Sequence, residues 1–141
     1  MDLFLRQPPV EQAHSLDVFI QLSEQGENSP DLLAAALLHD VGKSRFPLRP
    51  WERAAVVMGK AFFPAWVEKW GVSDPRGWKR PFVVAAQHAR WGAEMADAAG
   101  ASALTVSLIR RHQDLTGGDR RHDVSGDEIL LQKLQMIDNE S

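Results

Sequence analysis

The 141-residue chain is 44% apolar and 25% charged, the balance of a globular domain with a sizeable core. A net charge of −3 gives no electrostatic case for nucleic acid, and the lack of any cysteine excludes disulfides, thiolate metal sites and cysteine nucleophiles. The first residues lack the basic end and apolar run of a signal peptide, and the longest apolar run, residues 32–38, is far too short to span a bilayer. The expectation is therefore one cytoplasmic domain over residues 1–141, with no membrane partner.

Pro8 and Pro9 suit a helix start and Gly26 a stop. Between them Val10, Ala13, His14, Asp17, Val18, Gln21 and Leu22 share one side, which Leu16, Phe19 and Ile20 widen. Asn28 or Ser29 can cap a second helix that opens at Pro30. It carries the run LLAAALLHDVGK, residues 32–43, and is expected to end near Gly42. On it Leu32, Ala35, Ala36 and His39 fall along one line, and Leu33, Ala36, Leu37 and Asp40 along the next. The His39–Asp40 pair thus continues a buried face. An uncompensated carboxylate there costs several kcal/mol as an order of magnitude, and a metal ion is a compensation that uses both an imidazole and a carboxylate.

Residues 44–80 are crowded with proline and with Trp51, Phe62, Phe63, Trp66, Trp70 and Trp78. The expectation is a short helix from Pro50 to about Lys60, another from Phe63 to Trp70, and a loop from Gly71 to Arg80. The aromatics are read as core and lid packing, not a base-stacking platform. Pro81 opens a long helix to about Ala99, with Val84, His88, Trp91 and Met95 on one side and Gly100 as its stop. Ser102 can cap a helix that lines up Thr105, Leu108, Ile109 and His112. A polar loop holding His122 follows. Ser125 and Glu128 then form a capping box for a last helix with Leu130, Leu131, Leu134 and Asp138 inward. No alternation holds long enough for a strand. The fold class is all-α, five or six main helices plus short ones.

Four helices therefore place a histidine on an apolar stripe: His14, His39, His88 and His112. Asp40 and Asp138 lie on such stripes too. Any one of these has a bland explanation, usually a hydrogen-bonded core histidine or a surface acid. Six across five helices must have their polar demands met together in one core.

The order His14 … His39-Asp40 … Asp138, with the string His39-Asp40-Val41-Gly42-Lys43, resembles the HD superfamily of metal-dependent phosphohydrolases and its HD-[IV]-G-K signature. The runs HARWGAEMADAAG and LIRRHQD are similar to the HPxxGAxL … HHE run of the HDIG type. The resemblance spans residues 10–140 apart from the aromatic insertion at 44–80, and it implies an HD-type helical bundle. It further implies that His14, His39, Asp40 and Asp138 bind a divalent metal, that His88 and His112 add a second, and that Asp40 bridges. Four imidazoles and two carboxylates suit Mn, Fe, Co, Ni or Zn better than calcium. Two such ions about 3.5–4 Å apart can share a hydroxide, bring its pKa near neutral and aim it at phosphorus.

On this resemblance the activity expected is hydrolysis of a phosphate ester, of a nucleotide or another small metabolite, with Asp40 and Lys43 in catalysis. Lys43, Arg90, Arg110 and Arg111 are the candidate phosphate contacts. Asp114 is a candidate partner for a ligand histidine. Glu52, Glu68 and Glu94 are the acids available as a base. His122 is expected at the surface, unrelated to the metal. Gln113 stands where the cyclic-dinucleotide branch has glutamate, and the chain has no tyrosine for that branch's Gly-Tyr-Pro, which argues against a cyclic di-GMP substrate. The competing readings are a catalytically silent HD-fold module that binds a nucleotide or a protein, and a structural protein whose polar core is satisfied by hydrogen bonds alone.

Overall fold

A computed structural model describes residues 2–114 and 125–141. Among these residues there are eight α-helices, two 3-10 turns and no strand. The helices are α1 (Asp2–Leu5), α2 (Pro9–Glu24), α3 (Pro30–Leu38), α4 (Pro50–Phe62), α5 (Pro64–Gly71), α6 (Arg80–Ala98), α7 (Ala103–Arg111) and α8 (Gly126–Glu140). Proline stands in the first two positions of α2 to α6, where its fixed φ helps and its missing N–H costs nothing. Ser29, Ser102 and Ser125 accept from backbone N–H groups at the starts of α3, α7 and α8. The box at Ser125 is half formed, because the Glu128 carboxylate turns instead to Arg111. No helix among the described residues is long and apolar enough to cross a membrane.

One core joins α2, α3, α6, α7 and α8 through Val18 and Leu22, Leu32 and Ala36, Ala93 and Ala96, Leu108 and Ile109, and Leu131 and Leu134. The buried face of α2 differs from the expected one. It is Glu11, Ser15, Val18 and Leu22, while Val10, Leu16 and Ile20 are exposed. Helix α3 also stops earlier than expected, at Leu38. His39 caps it in helical geometry, and the chain tightens into a 3-10 turn over Val41–Arg45. Gly42 is therefore no helix stop. A Cβ there would lie 1.9 Å from the His88 carbonyl oxygen and 2.7 Å from the Gly92 nitrogen, so only glycine lets this turn press against α6.

Helices α4 and α5 pack on α6 through Val56, Val67 and Phe82. Glu52 fixes the start of α4: it accepts from the Arg49 N–H at 2.7 Å and from Arg80 at 2.8 Å. The expected loop at 71–80 contains a short 3-10 turn, Gly77–Lys79. The aromatics depart most from expectation. Trp51, Phe62, Phe63, Trp66 and Trp78 are each more than half exposed, and only Trp70 is partly buried against Phe82.

Candidate metal centre

The bundle brings six side chains to one place. His14 comes from α2, His39 from the cap of α3, and Asp40 from the turn after it. His88 comes from α6, His112 from the end of α7, and Asp138 from α8. His14, His39 and Asp138 form one group within 4.8 Å of each other, and Asp40, His88 and His112 form a second.

Asp40 links the two groups through its two oxygens. Its Oδ2 lies 3.5 Å from His39 Nε2 and 4.0 Å from His14 Nε2. Its Oδ1 lies 3.1 Å from His88 Nε2 and 3.9 Å from His112 Nε2. Asp138 Oδ1 closes the first group, 2.8 Å from His14 Nε2 and 3.2 Å from His39 Nε2.

Each deep histidine is oriented by its own helix. The Nδ1 of His39, His88 and His112 lies 2.8, 3.0 and 2.7 Å from the carbonyl of Ala36, Val84 and Ile109. A carbonyl only accepts, so Nδ1 carries the proton and donates. In the neutral ring Nε2 then presents a lone pair to the centre. The Nε2 atoms of His39 and His88 are fully buried and make no well-aligned hydrogen bond. A buried polar atom without a partner is costly, and here two sit among four other donors to a metal. The residues fit a divalent transition metal on that ground.

The electrostatics of the two acids and of His112 agree. Burial alone would raise the Asp40 carboxyl, but the adjoining His88 and the charges of His39 and Lys43 hold it well below its ordinary value. Asp138 is likewise held down against burial by His14 and His39. Burial pushes His112 to about 4, helped by repulsion from His39 and His88, so its ring is neutral near pH 7. Burial lowers His39 too, but Asp138 and Asp40 more than offset it and its pKa rises, so that ring favours its charged form beside the acids and would release the proton to a bound metal. Ionised acids and neutral imidazoles are the forms that bind metal.

Beside the centre lies a cleft of about 250 Å³ lined by Glu11, Lys43, Arg53, Lys60 and Gln113 against Leu48, Val56, Val84 and Ala85. Lys43 joins the two regions. Its Nζ lies 2.7 Å from Asp40 Oδ2 and 3.1 Å from Glu11 Oε2, and these acids raise its pKa against the effect of burial. Arg53 Nη1 reaches the other Glu11 oxygen at 2.5 Å. Sequence reading missed Glu11 and Arg53. A lone glutamate at the edge of an apolar stripe reads as a solvated residue, and Arg53 lies in the insertion.

Several expected positions lie outside this cleft. Arg90 is exposed beside Glu94, Arg110 is exposed, and Arg111 is taken by Glu128 and Asp114. None lines the cleft. Asp114 is exposed and pairs with Arg111, not with a histidine, because backbone carbonyls already hold the three ring Nδ1 atoms. Glu52 is committed to Arg80 and the α4 start, while Glu68 and Glu94 are exposed; none of the three lines the cleft. His122 lies outside the described residues.

The family model described as HD domain matches residues 12–141, a span that includes all six converging residues and the 44–80 insertion. No curated protein and no solved structure matches the chain.

Proposed function

The chain belongs to the HD superfamily of metal-dependent phosphohydrolases, and from that premise we propose that it hydrolyses a small phosphate ester at a centre held by His14, His39, Asp40, His88, His112 and Asp138. The observation that carries this reading is the Asp40 carboxylate, with one oxygen toward the His14–His39 pair and the other toward the His88–His112 pair. That placement suits a bridge between two ions better than a ligand to one. Divalent ions bound there would neutralise phosphate oxygens and make a water acidic enough to attack phosphorus near neutral pH.

The remaining work falls to the chain. The backbone carbonyls of Ala36, Val84 and Ile109 fix three rings in the tautomer that donates through Nε2. Lys43 sits between Asp40 and the cleft, where its charge can meet the negative charge that grows on the phosphoryl group. Arg53 and Lys60 take the phosphate-binding part expected of Arg90, Arg110 and Arg111. Both line the cleft from one side of α4, and Glu11 holds Lys43 and Arg53 in place. The apolar side formed by Leu48, Val56, Val84 and Ala85 would take an uncharged part of the substrate.

A panel of phosphomonoesters and phosphodiesters, supplied with Mn, Fe, Co, Ni or Zn, tests the reading beside an Asp40→Ala variant. Hydrolysis by the native protein that vanishes in the variant supports it. Equal hydrolysis by both, or none by either, removes it.

A further inference from the structure

Helix α4 turns its apolar side to water. At about 100° per residue, Val57, Ala61, Ala54, Met58, Trp51, Phe62 and Ala55 cover roughly 160° of its circumference without one polar side chain. The opposite side is the packed one, through Glu52, Val56 and Gly59. Trp51 is 60% exposed, Met58 58% and Phe62 67%. Past the helix end Phe63 and Trp66 are also exposed. A row of rings continues through Trp70 to Trp78, at 6.3 and 4.9 Å between centroids. Lys69 Nζ lies 5.2 Å from the Trp66 ring and Lys79 Nζ 5.5 Å from the Trp78 ring.

Charge decides what such a face fits. Residues 44–80 hold eight Lys and Arg against three Asp and Glu in a chain whose total is −3; with Arg53 and Lys60 on the cleft side and Arg80 paired with Glu52, the others still leave net positive charge around this face. A second copy of this face would set like charge against like charge. Single-stranded nucleic acid would match the charge, but bases stack on flat rings, and most of the α4 face is Ala, Val and Met. An anionic bilayer surface accepts all three features. Aliphatic and phenyl groups enter the acyl boundary, indole rings sit at the headgroups, and lysines reach phosphate. We propose that the α4–α5 face docks the protein on anionic lipid as a peripheral contact, with the acidic remainder of the chain turned away. This differs from spanning a bilayer, which no described helix can do.

The full-length protein is mixed with vesicles of phosphatidylcholine alone or of equimolar phosphatidylcholine and phosphatidylglycerol, and the bound fraction is read by flotation. Binding to the anionic vesicles, weakened by salt and accompanied by a blue shift of tryptophan emission, is the expected result. Met58→Glu with Phe62→Glu should reduce that binding about tenfold or more, and Lys69→Gln with Lys79→Gln less, roughly tenfold at most. Both sets change exposed or rim positions outside the cleft, so circular dichroism melting and turnover of a soluble ester stay as in the native protein. No vesicle binding, equal binding to both vesicle types, or binding unaffected by the Met58 and Phe62 changes would overturn the proposal. So would capture of a single-stranded oligonucleotide in place of vesicles, or a dimer that Met58→Glu and Phe62→Glu dissolve without any vesicle binding.

Discussion

The histidine-bearing half and the α4–α5 insertion use the same sequence device in opposite ways. In α3, α6 and α7 an apolar stripe faces inward and delivers a histidine to the centre. In α4 the widest apolar stripe faces outward, and the buried side carries Glu52, Val56 and Gly59. A stripe shows that a helix has an apolar side. Whether that side meets the core depends on what else competes for contact. In α4 the contact with α6 needs a small residue: a Cβ on Gly59 would come within 2.5 Å of the Phe82 ring. Glu52 also has Arg80 to meet on that side. Close approach and an ion pair thus set the rotation of α4, and its larger apolar groups are left in water.

Changes that break the inner half should have the largest effects. His39→Ala and His88→Ala each remove one buried Nε2, and metal affinity measured by competition with a chelator should fall about 10–100-fold or more. His14→Ala should weaken it less, because His14 is a quarter exposed while His39 and His88 are buried. Equal, negligible effects at all three would show that none of these rings holds the metal. Gly42→Ala should follow. The added carbon meets the His88 backbone, so the cost is about 3 kcal/mol in a denaturant melt, with lowered metal content as the turn lifts from α6. At the boundary between the two regions, Arg53→Met with Lys60→Met should raise KM about tenfold and leave metal content unchanged, read from steady-state kinetics beside elemental analysis. A matching fall in kcat alone would argue against a binding role. The smallest effect belongs to Arg90→Ala and Arg110→Ala. Both side chains are exposed and outside the cleft, so stability should move by less than about 0.5 kcal/mol and KM not at all.

Much of the inner half was legible in the chain. Proline starts, serine caps and the positions of His39, His88, His112 and Asp138 follow from local chemistry and helical period, so the all-α fold and the six converging residues could be expected. Two kinds of information were not local. The buried face of α2 runs through Glu11 and Ser15, and a buried glutamate makes sense only once Lys43 and Arg53 arrive from elsewhere. Gly42 reads as a helix stop in sequence, yet its reason is the backbone of α6. Asp114 and the three arginines were placed by nearness in sequence to ligand histidines. The arginine side chains leave their helices on other sides, Arg111 finds Glu128 first, and Asp114 lies past the end of α7.

Under the proposed function, Asp40 would hold metal from both of its oxygens. Elemental analysis of the purified native protein and of Asp40→Ala, after equal exposure to Mn, Fe, Co, Ni and Zn and then desalting, tests it most directly. About two divalent ions per native chain are expected, most of them lost in a variant that still folds by circular dichroism. Equal metal in both proteins, or none in the native one, would contradict it.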